Sequence, residues 1–473
     1  MSAKAIIVID VGKTLSKASL WTADGVLLDR QTRANNRLEF GPYLALDADG
    51  IEAWLTKILA TFATMATIGG IIPIAHGAAA VLIRNGKRAC PPLDYEAHIP
   101  PESRARYEAC RPPFAETGAP ALPDGLNLGA QLHWLEQHLP EAVVGAQIVP
   151  WAQYWAWLFS GVAATEVTSL GCHTDLWDPV RGRPSSLAMD RGWAAAFPPL
   201  RRAGDRLGPI SPAWAARTGL PKDTPVYCGL HDSNAALVAA RGCAEVADCA
   251  VTILSTGTWF VAMRTMGSAA APTIDLKALP EARDCLVNVD ADGRPTPSAR
   301  WMGGREIELL TGAGMRIDDP AAQPEMCAAA ADVIRDGVMV LPGFVKGCGP
   351  FGGLDGGWIN EPTSAAHRAA AIALYAALVT HESLGLIGAH GHILVEGRFA
   401  EAAVFTRALA ALRPRDAIYK SSGEHDASFG ALRLVNPALR TRATLGTVEA
   451  LAGDLLPYTQ LWRQTVAQRE ASA

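Results

Sequence analysis

The sequence predicts an α/β protein of two domains, and three observations carry that expectation. Strand-like runs of β-branched residues alternate with alanine-rich helical patterns along the chain. At 473 residues the chain is longer than one ordinary hydrophobic core supports, which leaves room for a cleft between two. A short hairpin with a glycine- and hydroxyl-bearing turn occurs twice, over residues 5–21 and again over 250–263. Such a recurrence suggests an internal duplication in which each half offers its turn to a shared cleft.

Composition narrows the function classes. Hydrophobic residues make up 49% and charged residues 19% of the chain, with a net charge of −5 and a pI near 6.1. Nothing there points to nucleic acid or a membrane surface as partner. No basic segment followed by a long apolar stretch opens the chain, and no uninterrupted apolar run reaches membrane-spanning length, so a cytoplasmic location is expected. The nine cysteines show no CxxC pair, which argues for reduced thiols and against a disulfide framework. Cys172-His173 has no second pair of ligands at metal spacing and reads as structural.

Taken in order, Ala5–Val11 is a β-branched strand running into a turn that carries Asp10, and the chain returns as a strand over 16–21 that carries Lys17. The turn holds Gly12, Lys13 and Thr14. Glycine lets the backbone approach a phosphate, N–H and hydroxyl groups donate to it, and an aspartate can hold Mg²⁺ through water. A Walker A loop would need GxxxxGK[ST] before a helix, and a Rossmann site GxGxxG after a strand; both are missing. Residues 50–67 read as a helix with Ile51, Trp54, Leu55, Ile58, Leu59 and Phe62 on one face. A buried strand over 71–75 then delivers His76-Gly77. A histidine at a strand end is either a satisfied structural residue or a ligand-binding one.

The proline-rich stretch 90–123 reads as a long surface excursion, a rim or lid. Leu128–His138 is a helix, and 148–161 an aromatic-rich helix closed by Gly161 whose tryptophans belong to the core. Residues 166–178 are unusually polar for a segment between buried elements, with Thr168, Ser169, His173, Thr174 and Asp175. Residues 193–220 alternate helical patterns with proline and glycine. The stretch 225–240 then has a strand over 226–228, a break at Gly229 and a helix over 233–240, so Asp232 falls at a strand-to-helix junction. There a carboxylate points into the cleft that the strand end faces, and the helix N-terminus favours its charged form. The alternative is that Asp232 only caps the helix.

In the second half, a strand over 250–254 ends in Ser255, Thr256, Gly257 and Thr258, and 259–263 returns as a strand. Residues 366–385 form an alanine-rich helix and 392–395 a strand. Glu396-Gly397-Arg398 is its turn, 401–412 the next helix, and 440–473 a helical tail.

These segments together carry a resemblance. Ile9-Asp10-Val-Gly12-Lys-Thr14, Gly219-Leu-Pro221 with Thr224-Pro225-Val, Gly229-Leu-His231-Asp232, Ser255-Thr-Gly-Thr258 and Glu396-Gly397 before a helix resemble the FGGY family of carbohydrate kinases, in the right order from residue 4 to about 437. The resemblance implies two ribonuclease-H-like domains of the actin/hexokinase type: 1–240 binding sugar and carrying the base, 241–473 binding nucleotide. ATP, Mg²⁺ and sugar would meet in the cleft. It implies Asp232 as general base, Asp10 as a magnesium-associated carboxylate with Asp232 beside the same ion, and Gly12–Thr14, Lys17 and Ser255–Thr258 around phosphates. Gly397 would lie by the adenosine, and His76, Gly77 and His231 by the sugar.

Two departures from the family pattern matter. Many members have two or three glycines where this chain has Glu396-Gly397-Arg398, so Arg398 would stack on adenine or meet a phosphate. Ile74-Ala-His76-Gly77 is nearer the Met-His-Gly of xylulose kinases than the Asn-Gln-Arg-Glu of glycerol kinases. The expected substrate is therefore a 6-deoxyketohexose such as fuculose or rhamnulose, or a ketopentose such as xylulose or ribulose. A polyol kinase and a non-catalytic sugar or ATP sensor are the alternatives; the sensor has no need of Asp10, Asp232 and both turns together. Hydride transfer is disfavoured by the missing glycine fingerprint. The oligomeric state stays open, with a homodimer among the expectations.

Overall fold

The computed structural model describes residues 4–247, 249–267, 274–421, 426–441 and 444–472. The chain divides into two compact units. One comprises Met1–Ala244, Val287–Pro295 and His425–Thr441; the other comprises Glu245–Leu286, Thr296–Glu424 and Arg442–Ala473.

The first unit is built on a seven-stranded sheet. Ala5–Val11 pairs antiparallel with Leu15–Trp21, which pairs antiparallel with Leu27–Ala34. On its other side Ala5–Val11 runs parallel to Ile68–Ala75. The helix Ala48–Met65 makes that crossover, burying Ile51, Leu55, Leu59 and Phe62 and packing Trp54 and Ile58 more loosely. This is the face that the period of 3.6 predicts. Pro225–Tyr227 and the short Leu230–His231 also lie parallel to Ile68–Ala75, and Arg206–Pro209 closes that edge antiparallel. The last strand sits inside the segment read only as broken helices.

Other expectations need correction. The stretch 90–123 is not a surface excursion. It holds the helices Pro101–Glu108 and Phe114–Thr117 and buries Leu93, Ile99 and Tyr107 in a core with Leu128, Trp134 and Leu176. Its prolines start helices rather than keep the chain outside. Residues 148–150 belong to the strand Gln147–Pro150, and the aromatic helix is Trp151–Ser160, closed by Gly161 in the left-handed region. Trp151 and Trp155 are fully buried in the core.

The second unit repeats the arrangement. Six consecutive strands of its sheet run Pro295–Trp301, Phe260–Arg264, Val251–Thr256, His392–Gly397, Ala417–Lys420 and Gly446–Thr447. Again a hairpin's first strand, Val251–Thr256, pairs antiparallel with its return and parallel with a later strand, His392–Gly397. Ser255 and Thr256 lie in the strand itself, so the turn proper is Gly257–Trp259. Ala365–Leu386 is long and apolar enough to cross a membrane by length and composition, but 78% of its apolar window is buried. It is the central helix of this unit's core. The expected tail is helical only over Leu456–Glu470.

Candidate active site

Asp10, next to last in the first strand, has its carboxylate buried, 3.1 Å from the Lys17 ammonium on the returning strand. Strand register dictates this pairing, since Asp10 stands opposite Lys17. Burial raises the Asp10 pKa to about 6; Lys17 opposes the shift and Asp232 adds to it. Asp10 in turn raises Lys17 above the ordinary lysine value. The turn between them is braced by Asn35, whose amide donates to the Gly12 carbonyl at 2.8 Å. Thr14 stays exposed.

Lys13 does not point freely from the turn. Its ammonium pairs with the fully buried carboxylate of Asp94 and lies 4.5 Å above the Tyr95 ring. Tyr95 meets His76 edge to face, the ring centroids 5.4 Å apart. Asp94 and Tyr95 belong to the stretch read as a rim, and sequence reasoning passed over them. A carboxylate set among Pro91, Pro92 and Leu93 was the only local sign.

His76 leaves the strand Ile68–Ala75 with both ring nitrogens buried and without a hydrogen-bond partner. Burial drives its pKa down to about 3, with Lys13 and His231 adding to the effect. The ring is thus neutral, with one nitrogen able to donate and the other to accept. Gly77 lies so close to the His231 ring and the Cys172 sulfur that a Cβ would collide with both.

His231 and Asp232 sit where two constraints meet. Gly229 adopts φ 76° against the Pro73 carbonyl, a conformation and proximity that glycine tolerates best. The chain then resumes as Leu230–His231 and enters the helix Asp232–Ala240 with His231 at the N-cap. Asn234 lies 3.3 Å from His231 Nδ1, which assigns the ring proton to Nε2, 3.3 Å from an Asp232 carboxylate oxygen. Burial lowers the His231 pKa to about 4, so above that pH the contact is between a neutral ring and the carboxylate. The Asp232 side chain is 28% exposed and accepts from the Ser233 N–H at 2.6 Å. Burial raises its pKa, and the Ser233 N–H and Lys17 work the other way. The structure thus gathers Asp10, Lys13, Lys17, His76, Gly77, His231 and Asp232 at one end of the first unit's sheet.

In the second unit the Thr256 hydroxyl, buried, donates to the Glu396 carbonyl at 2.6 Å and accepts from the Phe399 N–H at 3.1 Å. Ser255 donates to the Glu396 carboxylate at 2.6 Å. These bonds fasten the hairpin to the turn bearing Gly397, which adopts φ 86° with Thr256 backbone too close for a side chain. Gly257 and Thr258 are exposed. Arg398 forms a two-pronged pair with Asp318, at 2.8 and 3.0 Å. Burial disfavours the Asp318 charge, but Arg398 and Arg316 outweigh it and hold the pKa near 2. That guanidinium is paired with Asp318, and the Arg398 side chain stays 41% exposed.

Known proteins share this fold. A family model for the C-terminal domain of FGGY carbohydrate kinases matches residues 248–443. The crystal structure of a carbohydrate kinase from Novosphingobium aromaticivorans is 52% identical, with a TM-score of 0.95 over 99% of this chain and 100% of that one. L-fuculokinase of Escherichia coli is 24% identical over 339 residues, so this chain spans 66% of the length of that curated relative, using 66% of its own. Xylulose kinase from Rhodospirillum rubrum shares the fold, with a TM-score of 0.77 at 18% identity over 99% of both chains. With two matching sheets, a carboxylate at the strand-to-helix junction and a full-length relative of this similarity, the chain belongs to the FGGY carbohydrate kinases.

Proposed function

We propose that this sugar kinase transfers the γ-phosphate of ATP to a terminal hydroxyl of a ketose, a 6-deoxyketohexose or a ketopentose, with Asp232 as the general base. The observation that carries the reading is the Asp232 carboxylate itself. It is neither fully buried nor the helix cap, since His231 holds that position, and it is steadied by the Ser233 N–H and the neutral His231 ring. Phosphoryl transfer asks the protein mainly to align the acceptor, neutralise charge and take a proton. Asp232 accepts the proton of the sugar hydroxyl as the new P–O bond forms. The unpartnered nitrogens of His76 suit sugar hydroxyls, and Gly77 lets the His231 ring pack close beside it.

Gly12, Thr14 and Lys17 are assigned to phosphate binding, and so are Gly257 and Thr258. Ser255 and Thr256 support their turn from behind, and Gly397 is assigned to the adenosine. Asp10 fits a Mg²⁺ ion that arrives with the nucleotide: a buried carboxylate, further strained by Asp232, is only partly neutralised by Lys17. No cage of three or more His, Cys, Asp or Glu side chains occurs among the described residues, which suits an ion held largely by phosphate oxygens and water. When bound, that ion neutralises charge on the transferring phosphoryl group.

Release of ADP with a panel of ketoses and polyols tests the reading. A ketopentose or 6-deoxyketohexose should be turned over and glycerol hardly at all. Glycerol as best substrate with every ketose inert would overturn it.

A further inference from the structure

The four residues before the base are gripped on nearly every polar atom of their backbone. The Cys228 and Gly229 N–H groups donate to the carbonyls of Asp205 and Ala203, each at 2.9 Å. The Gly229 carbonyl accepts from the buried Gln153 amide at 3.1 Å. Leu230 and His231 pair on one side with Ile74 and Ala75. On the other side no strand follows. There the His231 N–H donates instead to a side chain, the Thr168 hydroxyl, at 3.0 Å.

Thr168 has no freedom to turn away. Its own hydroxyl proton goes to Glu166 at 2.5 Å, and the same Glu166 oxygen accepts the Thr168 and Ser169 N–H groups at 3.0 and 3.2 Å. Both side chains are completely buried. The result is a directed chain, His231 N–H to Thr168 O–H to the Glu166 carboxyl, in which each bond polarises the next. It begins on His231, whose φ of −61° and ψ of 135° set the direction in which the following side chain, Asp232, leaves the backbone.

We propose that Thr168, locked by Glu166, is a positioning residue that aims the Asp232 carboxylate. This rests on the reading of Asp232 as base. Glu166 could in principle serve only as cap for the four-residue helix Val167–Leu170, but a cap needs neither the threonine hydroxyl nor a bond reaching sixty residues onward to His231.

The test replaces the hydroxyl and then restores it. Thr168→Val keeps the shape and removes both hydroxyl bonds, so kcat should fall about 10- to 100-fold, the scale on which small misplacements act. KM for ATP and for sugar should stay within about threefold of wild type. Thr168→Ser should restore most of kcat, which a purely packing role for the methyl group would not allow. A folded Thr168→Val enzyme with kcat within threefold of wild type overturns the proposal, as does a serine variant no better than valine. If the valine variant fails to fold, Glu166→Gln decides. It preserves size but turns one carboxyl oxygen into an NH2 donor and weakens the remaining acceptor that holds the Thr168 hydroxyl, and should lower kcat several-fold with KM unchanged; an unaltered kcat there rejects the relay. Asp232→Asn separates the two levels. If it stays active, the base assignment itself fails, whereas an inactive Asp232→Asn beside a fully active Thr168→Val removes only the positioning role.

Discussion

Charge at the first unit's site is distributed so that burial moves the carboxylates up and the imidazoles down. His76 and His231 are held near 3 and 4 by burial, so ring-nitrogen NMR shifts should show both neutral down to about pH 5. Rate profiles should then carry an acid limb above the ordinary aspartate value, from Asp232 and Asp10. Asp232→Asn should cost about 10² to 10⁴ in kcat with nucleotide affinity retained, the usual reach of a general base; near-normal turnover would instead mark a helix-terminal residue without chemistry. Asp10 makes the opposite prediction for stability. Its folded pKa of about 6 lies above the ordinary 3.8, so the folded state holds the proton more tightly and loses stability as pH rises from about 4 through 6. Asp10→Asn should relieve up to about 3 kcal/mol of that cost at pH 7, raising the melting temperature of the ligand-free protein by several degrees while activity collapses. Asp10 and Asp232 were legible in sequence because each lies within a residue of a strand end and within three residues of a glycine. Asp94 was not, because its partner Lys13 lies 81 positions away and no local pattern announces such a pair.

Elements with a single strong period were equally legible. The helix Ala48–Met65 and both hairpins follow from spacing alone, and only their ends differ from expectation by a residue or two. Where the reading failed, tertiary burial overrode composition. Prolines between 90 and 123 looked like a surface loop until Tyr107 found Asp175 and Leu93 found the core. The break before Leu230–His231 was visible as Gly229, but its strictness was not. Gly229→Ala would place a side chain at φ 76° against the Pro73 carbonyl. That change should cost about 2 kcal/mol or more and shift the base with it. Denaturant melts and kcat together check this; a variant matching wild type in both would show that the close approach relaxes easily.

Each unit has its own core, but the first is not finished by its own stretch of sequence. The helix Ala427–Val435 packs on the helix that begins at Asp232, with Gly430 so close to the Ala235 carbonyl that no side chain fits between. Phe429 and Leu432 complete the same core beside Trp21 and Tyr227, and Arg30 meets Asp426 at 2.8 Å. A fragment of residues 1–244 should therefore show no cooperative melting by calorimetry, whereas the full chain melts with sugar-dependent stabilisation, about 2.7 kcal/mol at a hundredfold excess over Kd. An independently folding 1–244 fragment would contradict this. The same helix sets a timetable on the ribosome. When Ala240 leaves the exit tunnel, the surface that Phe429 will cover is bare, and it stays bare while roughly two hundred further residues are made, on the order of ten to forty seconds at cellular elongation rates. The nascent first unit, although translated first, is completed nearly last, and during that interval it depends on whatever chaperones reach its uncovered helix.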